Sequence, residues 1–433
     1  MLAGVVDVLR AEGWRAVVDR ARDRWRASQW RSTFPAAGSD DALHAPVLNL
    51  TGLPASALHG DAARHLMARL RAESTQRAVA LVSPLDATLR LDWWTSEARF
   101  GLQYGRRWSG DPLDRDRDWE VAVMRAVERT SPRVIHVEGV TGLSLPSLLA
   151  IADLGLPLVL SIHDFGVFCR RPHLWMPSGR FCAFCTDDPT CRGCLDDAGD
   201  RRRFNQSEHR HLAYEIATRA AAVVCPSEYA RAEVARLFPS LAPGGIYLIP
   251  PGIDPPDLDR RSRRDPKQVA LVSGLPPHAG GAAAGDAIQE IVARGVDVTI
   301  YGGNGHEHLR ALRHRAGVTI RGYYAAGSLP SLLVRQHASV AIVIPRVPGT
   351  DSLVLSESWA AGVPVVATRI GALAERVTSG GGSLVDPDAD PDVVADAVDE
   401  LRERSVAVPQ PFLARQTAEA HTSLYLSILG AAG

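Results

Sequence analysis

Residues 341–377, AIVIPRVPGTDSLVLSESWAAGVPVVATRIGALAERV, constrain this chain more than any other stretch. They read as a buried strand over 341–344, a Pro/Gly turn, a helix over about 352–361, a second buried strand over 363–368 and the start of another helix. Short apolar runs without polar alternation need both faces covered. Such runs, alternating with helical periods, belong to a parallel α/β sheet. In a sheet of this kind ligands sit beyond the strand C-termini, where helix N-termini begin. The turn Pro348-Gly349-Thr350-Asp351, with Ser352 and Leu353 behind it, is therefore the first candidate anion site. Glu357, about one and a half turns into the helix, is placed to take a sugar hydroxyl.

A length of 433 residues predicts two or three domains of about 150 residues each. A net charge of −1 gives no basic face for nucleic acid, so that class of partner is excluded. Arginine supplies nearly all the positive charge, since Lys267 is the one lysine. The N-terminus lacks the apolar core and cleavage site of a secretory signal. The most apolar window, 143–160, is interrupted by Pro146, Asp153 and Pro157 and reads as a helix plus a strand rather than a membrane span. A cytoplasmic chain is expected, with a membrane-peripheral location as the alternative.

Residues 1–40 are expected to hold a basic amphipathic helix over 3–31. Val5, Val6, Leu9, Trp14, Val17, Val18, Ala21 and Trp25 share one side, and arginines occupy most of the others. Packing on its own domain, contact with an anionic membrane surface and contact with a protein partner all fit that pattern. Strands are expected at 45–51, 78–83, 133–137, 156–162 and 221–225. Helices are expected at 61–73, 119–130, 143–154, 204–218 and 227–237, the last capped by Ser227. Between them, 86–110 has no clean period; Trp93, Trp94, Tyr104 and Trp108 there suit an acceptor surface or simple packing. The strand at 156–162 ends in His163-Asp164, a polar pair at a strand mouth, where His163 is the candidate catalytic residue and Asp164 its orienter or an acceptor contact.

Next come Cys169, Cys182, Cys185, Cys191 and Cys194. C-x2-C followed by a second C-x2-C suits four thiolates closing around a structural zinc, with disulfides or an iron–sulfur site as alternatives. A Pro/Gly/Asp-rich insertion over 169–200 needs such a staple. Residues 251–265, rich in proline and charge, read as a linker. The second domain, 266–408, then runs strand (268–273), loop, helix (282–293), strand (297–301), loop, strand (318–322) and helix (329–336) into the opening stretch. A short strand (383–385), a helix (391–403) and a C-terminal helix (411–429) follow.

At its central motif the chain resembles a known family. PGTDSLVLSESWAAGVPVVAT is similar to the PETxSxxLSEAxAAGxPVVAT pattern of glycosyltransferase family four. The lines around His163-Asp164 resemble the acceptor half of the same family, over a total of roughly 45–405. The resemblance implies a GT-B fold, with two Rossmann-like parallel α/β domains facing a cleft. The acceptor domain would span 41–250, and a last helix over 409–433 would cross back to it. It implies transfer of a sugar from a nucleotide-sugar to a glycan, lipid-linked sugar or natural-product acceptor, as in polysaccharide biosynthesis. Retention of configuration and no catalytic divalent metal are implied too.

By the same resemblance His163 contacts the transferred sugar and Glu357 binds the ribose. The loop after the first strand, from Gly52 to Gly60, brings backbone toward phosphate or acceptor. The loop SGLPPHAGGA carries His278 and Gly280 at the donor phosphates, and Gly302 and Gly303 let the base approach. Relatives carry cysteines matching Cys169, Cys191 and Cys194 and one near Cys182, so that Cys169 and Cys185 compete for the fourth zinc position. Two departures stand out: the family's phosphate lysine is Ala279 here, and its first glutamate is Gly349. Arg346, Arg369 or His278 is expected to stand in for the lysine, and the amides of 349–353 to carry more of the load. A catalytically weak GT-B subunit that scaffolds or regulates an active partner is the alternative.

Overall fold

The computed structural model describes residues 46–54, 61–85, 88–95, 98–197, 205–241, 245–254, 256, 258, 264–272, 276–302 and 311–431. The expected helix over 3–31, Gly60 and Gly303 lie outside them. The described chain forms two compact units.

The first unit is built on a sheet of eight strands in the order β4-β3-β2-β1-β5-β6-β7-β8. They are β1 (Val47–Leu50), β2 (Val79–Leu85), β3 (Thr88–Trp94), β4 (Arg99–Gly105), β5 (Val134–Glu138), β6 (Leu158–Ser161), β7 (Ala222–Cys225) and β8 (Ile246–Leu248). β1 lies at the middle, parallel to β2 and β5. All four of its residues are buried, and Asn49 among them donates to Ala80 O at 3.0 Å, so the polar group is satisfied.

The expectation of an aperiodic 86–110 is corrected here. β3 and β4 extend the sheet as an antiparallel hairpin on β2. Trp93 and Trp94 are buried within it, and Trp93 stacks on Phe100. Most of the aromatics in this segment are therefore packing residues. Trp108 lies past the end of β4, outside the hairpin.

Six helices flank these strands: α1 (Asp61–Ser74), α2 (Arg117–Thr130), α3 (Leu145–Ala152), α4 (Asp188–Asp197), α5 (Gln206–Arg219) and α6 (Glu228–Leu237). Their starts follow side-chain capping: Asp116 accepts from Trp119 N, Ser144 from Ser147 N and Ser227 from Ala230 N. The C-terminal helix, Ala414–Ala431, also belongs to this unit. Its Leu424 and Tyr425 pack against Val47, Val134, Val159 and Ala222 on one face of the sheet.

The second unit holds six strands, all paired in parallel, in the order β11-β10-β9-β12-β13-β14. These are β9 (Asp265–Val272), β10 (Asp297–Tyr301), β11 (Val318–Gly322), β12 (Ala338–Val343), β13 (Val365–Thr368) and β14 (Gly382–Val385). The apolar runs are used on both sides. Val269, Leu271, Val340 and Ile342 enter one core, while Ala270, Val272, Ala341 and Val343 enter the other. Period-two geometry turns an unbroken apolar run into two buried faces, as the sequence required. Helices α7 (Gly281–Ala293), α8 (Leu329–Gln336), α9 (Leu353–Ala360), α10 (Gly371–Thr378) and α11 (Pro391–Glu403) cover those faces. The C-terminal helix completes the numbering as α12.

Candidate functional site

In the first unit the chemistry gathers at the C-terminal ends of β5 and β6. His163 follows β6, and its Nε2 lies 2.8 Å from Glu138 Oε2 at the last residue of β5. Glu138, rather than Asp164, is thus the carboxylate that holds the histidine. Asp164 is used locally: its Oδ1 accepts from Gly166 N at 2.8 Å and from Thr141 Oγ1 at 2.9 Å. That bonding caps the short 3₁₀ turn Phe165–Val167.

Behind Glu138 lies a buried polar network. Arg69 of α1, with no exposed surface, pairs with Glu138 Oε1 and with Glu73 Oε1 at 2.6 Å. It also donates to Asn49 Oδ1 at 2.8 Å and to Tyr425 of α12 at 2.9 Å. His136 Nδ1 lies 2.6 Å from the Tyr425 hydroxyl, and its Nε2 lies 2.7 Å from Ser161 Oγ.

Burial alone would push the Glu138 carboxyl up, but Arg69 holds it well below the usual carboxylate range. Burial likewise opposes the Arg69 charge, and Glu138 and Glu73 restore it to above the ordinary value. His65, His136 and His421 are held neutral, well below 6.5, chiefly by burial. The 3.2 Å approach of His136 to Glu138 is therefore not an ion pair. The network keeps one negative charge beneath His163 with its own counter-ion already in place.

Gly52 sits just past β1, where a Cβ would fall 2.2 Å from Thr141 O and 2.5 Å from Gly142 C. Its lack of a side chain serves the close crossing of two backbone loops, each after a strand of the first unit.

In the second unit the loop after β12 leads into α9, which Ser352 caps by accepting from Leu355 N at 3.2 Å. Leu353 is the first helical residue, Thr350 is buried, and Glu357 is 2 % exposed. Asp351 places a negative charge at the candidate anion site. Arg376 of α10 meets it at 2.8 Å and also binds Ser352 O at 2.9 Å and Ser356 Oγ at 2.7 Å. The acid is neutralised in place, and the neutralising residue lies outside the motif.

The loop after β9 closes against this one. His278 O accepts from Arg346 N at 2.8 Å, and a Cβ on Gly280 would fall 2.9 Å from Ile344 O. With φ at +114°, Gly280 also occupies backbone space that side-chain-bearing residues rarely adopt. Ala279, at the lysine position, ends the turn Pro277–Ala279, and α7 follows with no side-chain cap. The Arg346 guanidinium engages Asp388, and Arg369 lies 3.5 Å from Asp386. Both pairs have largely exposed acids. Exposed pairs are worth about 0–1 kcal/mol, so a bound diphosphate can displace them. Gly302, just past β10, donates its N–H to Gly322 O at 2.9 Å.

The zinc expectation does not fit the structure. Among the described residues no three His, Cys, Asp or Glu side chains are placed to hold a metal. Cys169, Cys182, Cys185, Cys191 and Cys194 are free thiols. They lie near one another, and Cys191 is bound otherwise, with its Sγ donating to Cys185 O at 3.5 Å and accepting from Arg210 at 3.2 Å. Burial pushes the Cys169 thiol up to about 11, so it stays protonated. The staple in this insertion is instead a cluster in which Phe165, Phe168, Leu174 and Phe184 are buried together, with Tyr229 and Leu237 of α6 packed against them.

Comparison with known proteins then decides the family. Residues 79–256 match the model described as Glycosyltransferase Family 4, and residues 266–404 match Glycosyl transferases group 1. The chain belongs to this glycosyltransferase family. A GDP-mannose-dependent alpha-(1-6)-phosphatidylinositol monomannoside mannosyltransferase of Mycobacterium tuberculosis is 33% identical over 207 residues. That alignment covers 42% of this chain and 53% of the relative, so the chain spans about half the length of the curated relatives it matches.

Among solved structures, sucrose-phosphate synthase from Thermosynechococcus elongatus aligns with a TM-score of 0.60 at 16% identity, over 89% of this chain and 100% of that one. The Anabaena protein HepE in complex with UDP gives 0.55 at 15%, over 89% and 97%. A glycosyltransferase from Rickettsia africae gives 0.57 at 11%, over 88% and 98%. These likenesses establish the two-unit GT-B fold. No described helix is long and apolar enough to cross a membrane.

Proposed function

We propose that this family member transfers a sugar from a nucleoside-diphosphate sugar to a hydroxyl-bearing acceptor. The observation that carries the reading is that each unit separately matches its own half of the family, over 79–256 and 266–404. The second unit supplies the donor site. Glu357 takes the ribose hydroxyls, and the backbone of 349–353 at the α9 N-terminus takes diphosphate oxygens. Pairing of Arg376 with Asp351 removes the charge that would oppose them. Arg346, beside His278, turns from Asp388 toward the phosphates in place of the absent lysine. The first unit supplies His163, held by Glu138, at the transferred sugar.

In the reaction the bond between the anomeric carbon and the diphosphate oxygen breaks, and the nucleoside diphosphate leaves with the electron pair. The acceptor oxygen bonds to the same carbon and loses its proton. Retention of configuration is what the family resemblance implies, and diphosphate binding by amides and arginine would take the place of a catalytic divalent metal. The mycobacterial relative's name points to GDP-mannose, and HepE was solved with UDP, so both bases belong in the test. A scaffolding subunit without activity is less favoured, because Glu138 holds His163 and a buried Glu357 is kept in the second unit.

The test is incubation of the purified chain with GDP- and UDP-hexoses and candidate acceptors, following nucleoside diphosphate release and product stereochemistry by NMR. Acceptor-stimulated release with a retained anomer is expected. Failure of every nucleotide and nucleotide-sugar to bind at millimolar concentration contradicts the proposal.

A further inference from the structure

The cysteine-rich insertion, which does not form a metal cage, holds two of its thiols in contact. Cys191 lies in the first turns of α4, and its Sγ donates to Cys185 O at 3.5 Å. The Cys185 thiol is within hydrogen-bond reach of the same sulfur. The other three cysteines are placed differently. Cys169 and Cys182 pack against the Phe165, Phe168, Leu174 and Phe184 cluster, and Cys194 lies further along α4.

The turn that presents Cys185 is strained. Ala183 and Phe184, between Cys182 and Cys185, have φ of +50° and +58°. Left-handed backbone is unfavourable for residues that carry a side chain. Burial of Phe184 offsets this, with its ring centroid 4.8 Å from that of Phe165 and 5.4 Å from that of Phe168. Cys185 N donates to Cys182 O at 3.1 Å and closes the turn. The shape is thus held from outside the C-x2-C run, and it sets Cys185 against α4.

Arg210 of α5 completes the site. Its Nη2 donates to Cys185 O at 2.7 Å and to Cys191 Sγ at 3.2 Å. A guanidinium beside a sulfur favours the thiolate, which is the reacting form. Burial pushes the Cys191 thiol up, and Arg210 pulls against it. Access is graded as well, since Cys185 is half-buried while Cys191 is 8 % exposed. A small oxidant therefore meets Cys185 first and Cys191 second.

We propose that Cys185 and Cys191 are a reversible redox pair, oxidised to a disulfide by low-molecular-weight disulfides. The Cys185 thiolate attacks one sulfur of the small disulfide, and a thiolate leaves with the electron pair of the broken S–S bond. Cys191 then attacks the Cys185 sulfur of the mixed disulfide and expels the second small thiolate. Two electrons pass from the cysteines to the small disulfide, and the two protons that the cysteines lose end on the two released thiols. The pair uses neither His163 nor Glu357, so it stands or falls independently of the transferase reading.

The test is titration of the intact, folded chain with mixtures of reduced and oxidised glutathione, quenched with N-ethylmaleimide and read by peptide mass. The expected product is a Cys185–Cys191 link, lighter by two hydrogens and reversed by excess reduced glutathione, with the other insertion thiols alkylated. Cys191→Ser should stop at a glutathione mixed disulfide on Cys185, and Cys194→Ser should link as the parent does. Where Cys191→Ser fails to fold, timed alkylation of the parent replaces it, with Cys185 expected to react before Cys191. In urea the same oxidation should scatter over several pairs. The proposal is overturned if another pair links first in the folded chain, if the insertion thiols all stay reduced, or if the links match those formed in urea. Stoichiometric zinc that shields the thiols from alkylation overturns it too, by making the cluster a metal site.

Discussion

In the first unit the strand-end chemistry is assembled from side chains scattered along the chain, whereas in the second it comes mostly from backbone and one short stretch. His163 depends on Glu138, which depends on Arg69, Asn49 and a tyrosine from the last helix. The strand-end loops of the second unit depend on Ser352, Gly280 and a single outside arginine, Arg376. The contrast teaches that the first site is bound into the stability of its unit through a buried charge network, while the second rests on local backbone geometry whose loss costs less.

The largest effect that could break this contrast is expected at Glu138. Replacing it with alanine leaves the wholly buried Arg69 with one fewer counter-ion. A loss of about 3–5 kcal/mol is predicted, since removing one partner strands the other charge. Denaturant unfolding measures it, and a loss below about 1 kcal/mol would show that the network is not structural.

Acid is the next lever. His65, His136 and His421 are neutral and buried in the fold, below their usual 6.5. In the unfolded chain each takes a proton as pH falls through that value, so the unfolded state binds more protons. Stability should then fall with pH below about 6.5, by about 1.4 kcal/mol per pH unit for each histidine. Glu138 acts in the same direction at lower pH. Its folded value is depressed, so its contribution is complete above the ordinary carboxylate range and lost as pH falls through the folded value. Unfolding curves from pH 7.5 to 5.5 that superimpose would refute this.

Sequence showed the two sites unequally. The 341–377 stretch displayed its strand, helix and acid in one line, because parallel-strand burial and helical periodicity are local patterns. Arg376 escaped, being a charged residue one helix later whose partner only folding reveals. In the first unit, His163 was visible at a strand end but its true partner was not. Glu138 is the last residue of RVIHVE, a buried strand closing on an acid, and Arg69 interrupts the apolar face of α1. Those two misfits were the available signal. The cysteine spacing misled, because spacing fixes only what a loop could reach. The hairpin over 88–105 was missed because its strands carry charges and aromatics in place of clean alternation.

Smaller effects sharpen the comparison from the other side. Gly280→Ala should cost about 1–3 kcal/mol through its positive φ and the approach of Ile344 O. Thermal unfolding checks it, and an unchanged melting temperature would mean the loop relaxes freely. Arg376→Ala should cost less stability than Glu138→Ala, about 1–3 kcal/mol, while restoring the Asp351 charge at the anion site. A severalfold loss of nucleotide-sugar affinity is predicted, relieved in the Asp351→Asn, Arg376→Ala pair. Equal losses in the single and double variants would deny the electrostatic account.

The central claim is that the second unit holds the donor through Glu357 while the first acts on the transferred sugar through His163. Calorimetric titration of the preferred nucleotide-sugar into the parent, Glu357→Ala and His163→Ala tests it most directly. The account predicts that Glu357→Ala weakens binding at least tenfold, as for a charge-assisted hydrogen bond of about 1.5–3 kcal/mol. His163→Ala should bind the nucleotide portion as the parent does but lose turnover. Parent-like affinity in Glu357→Ala would contradict the account.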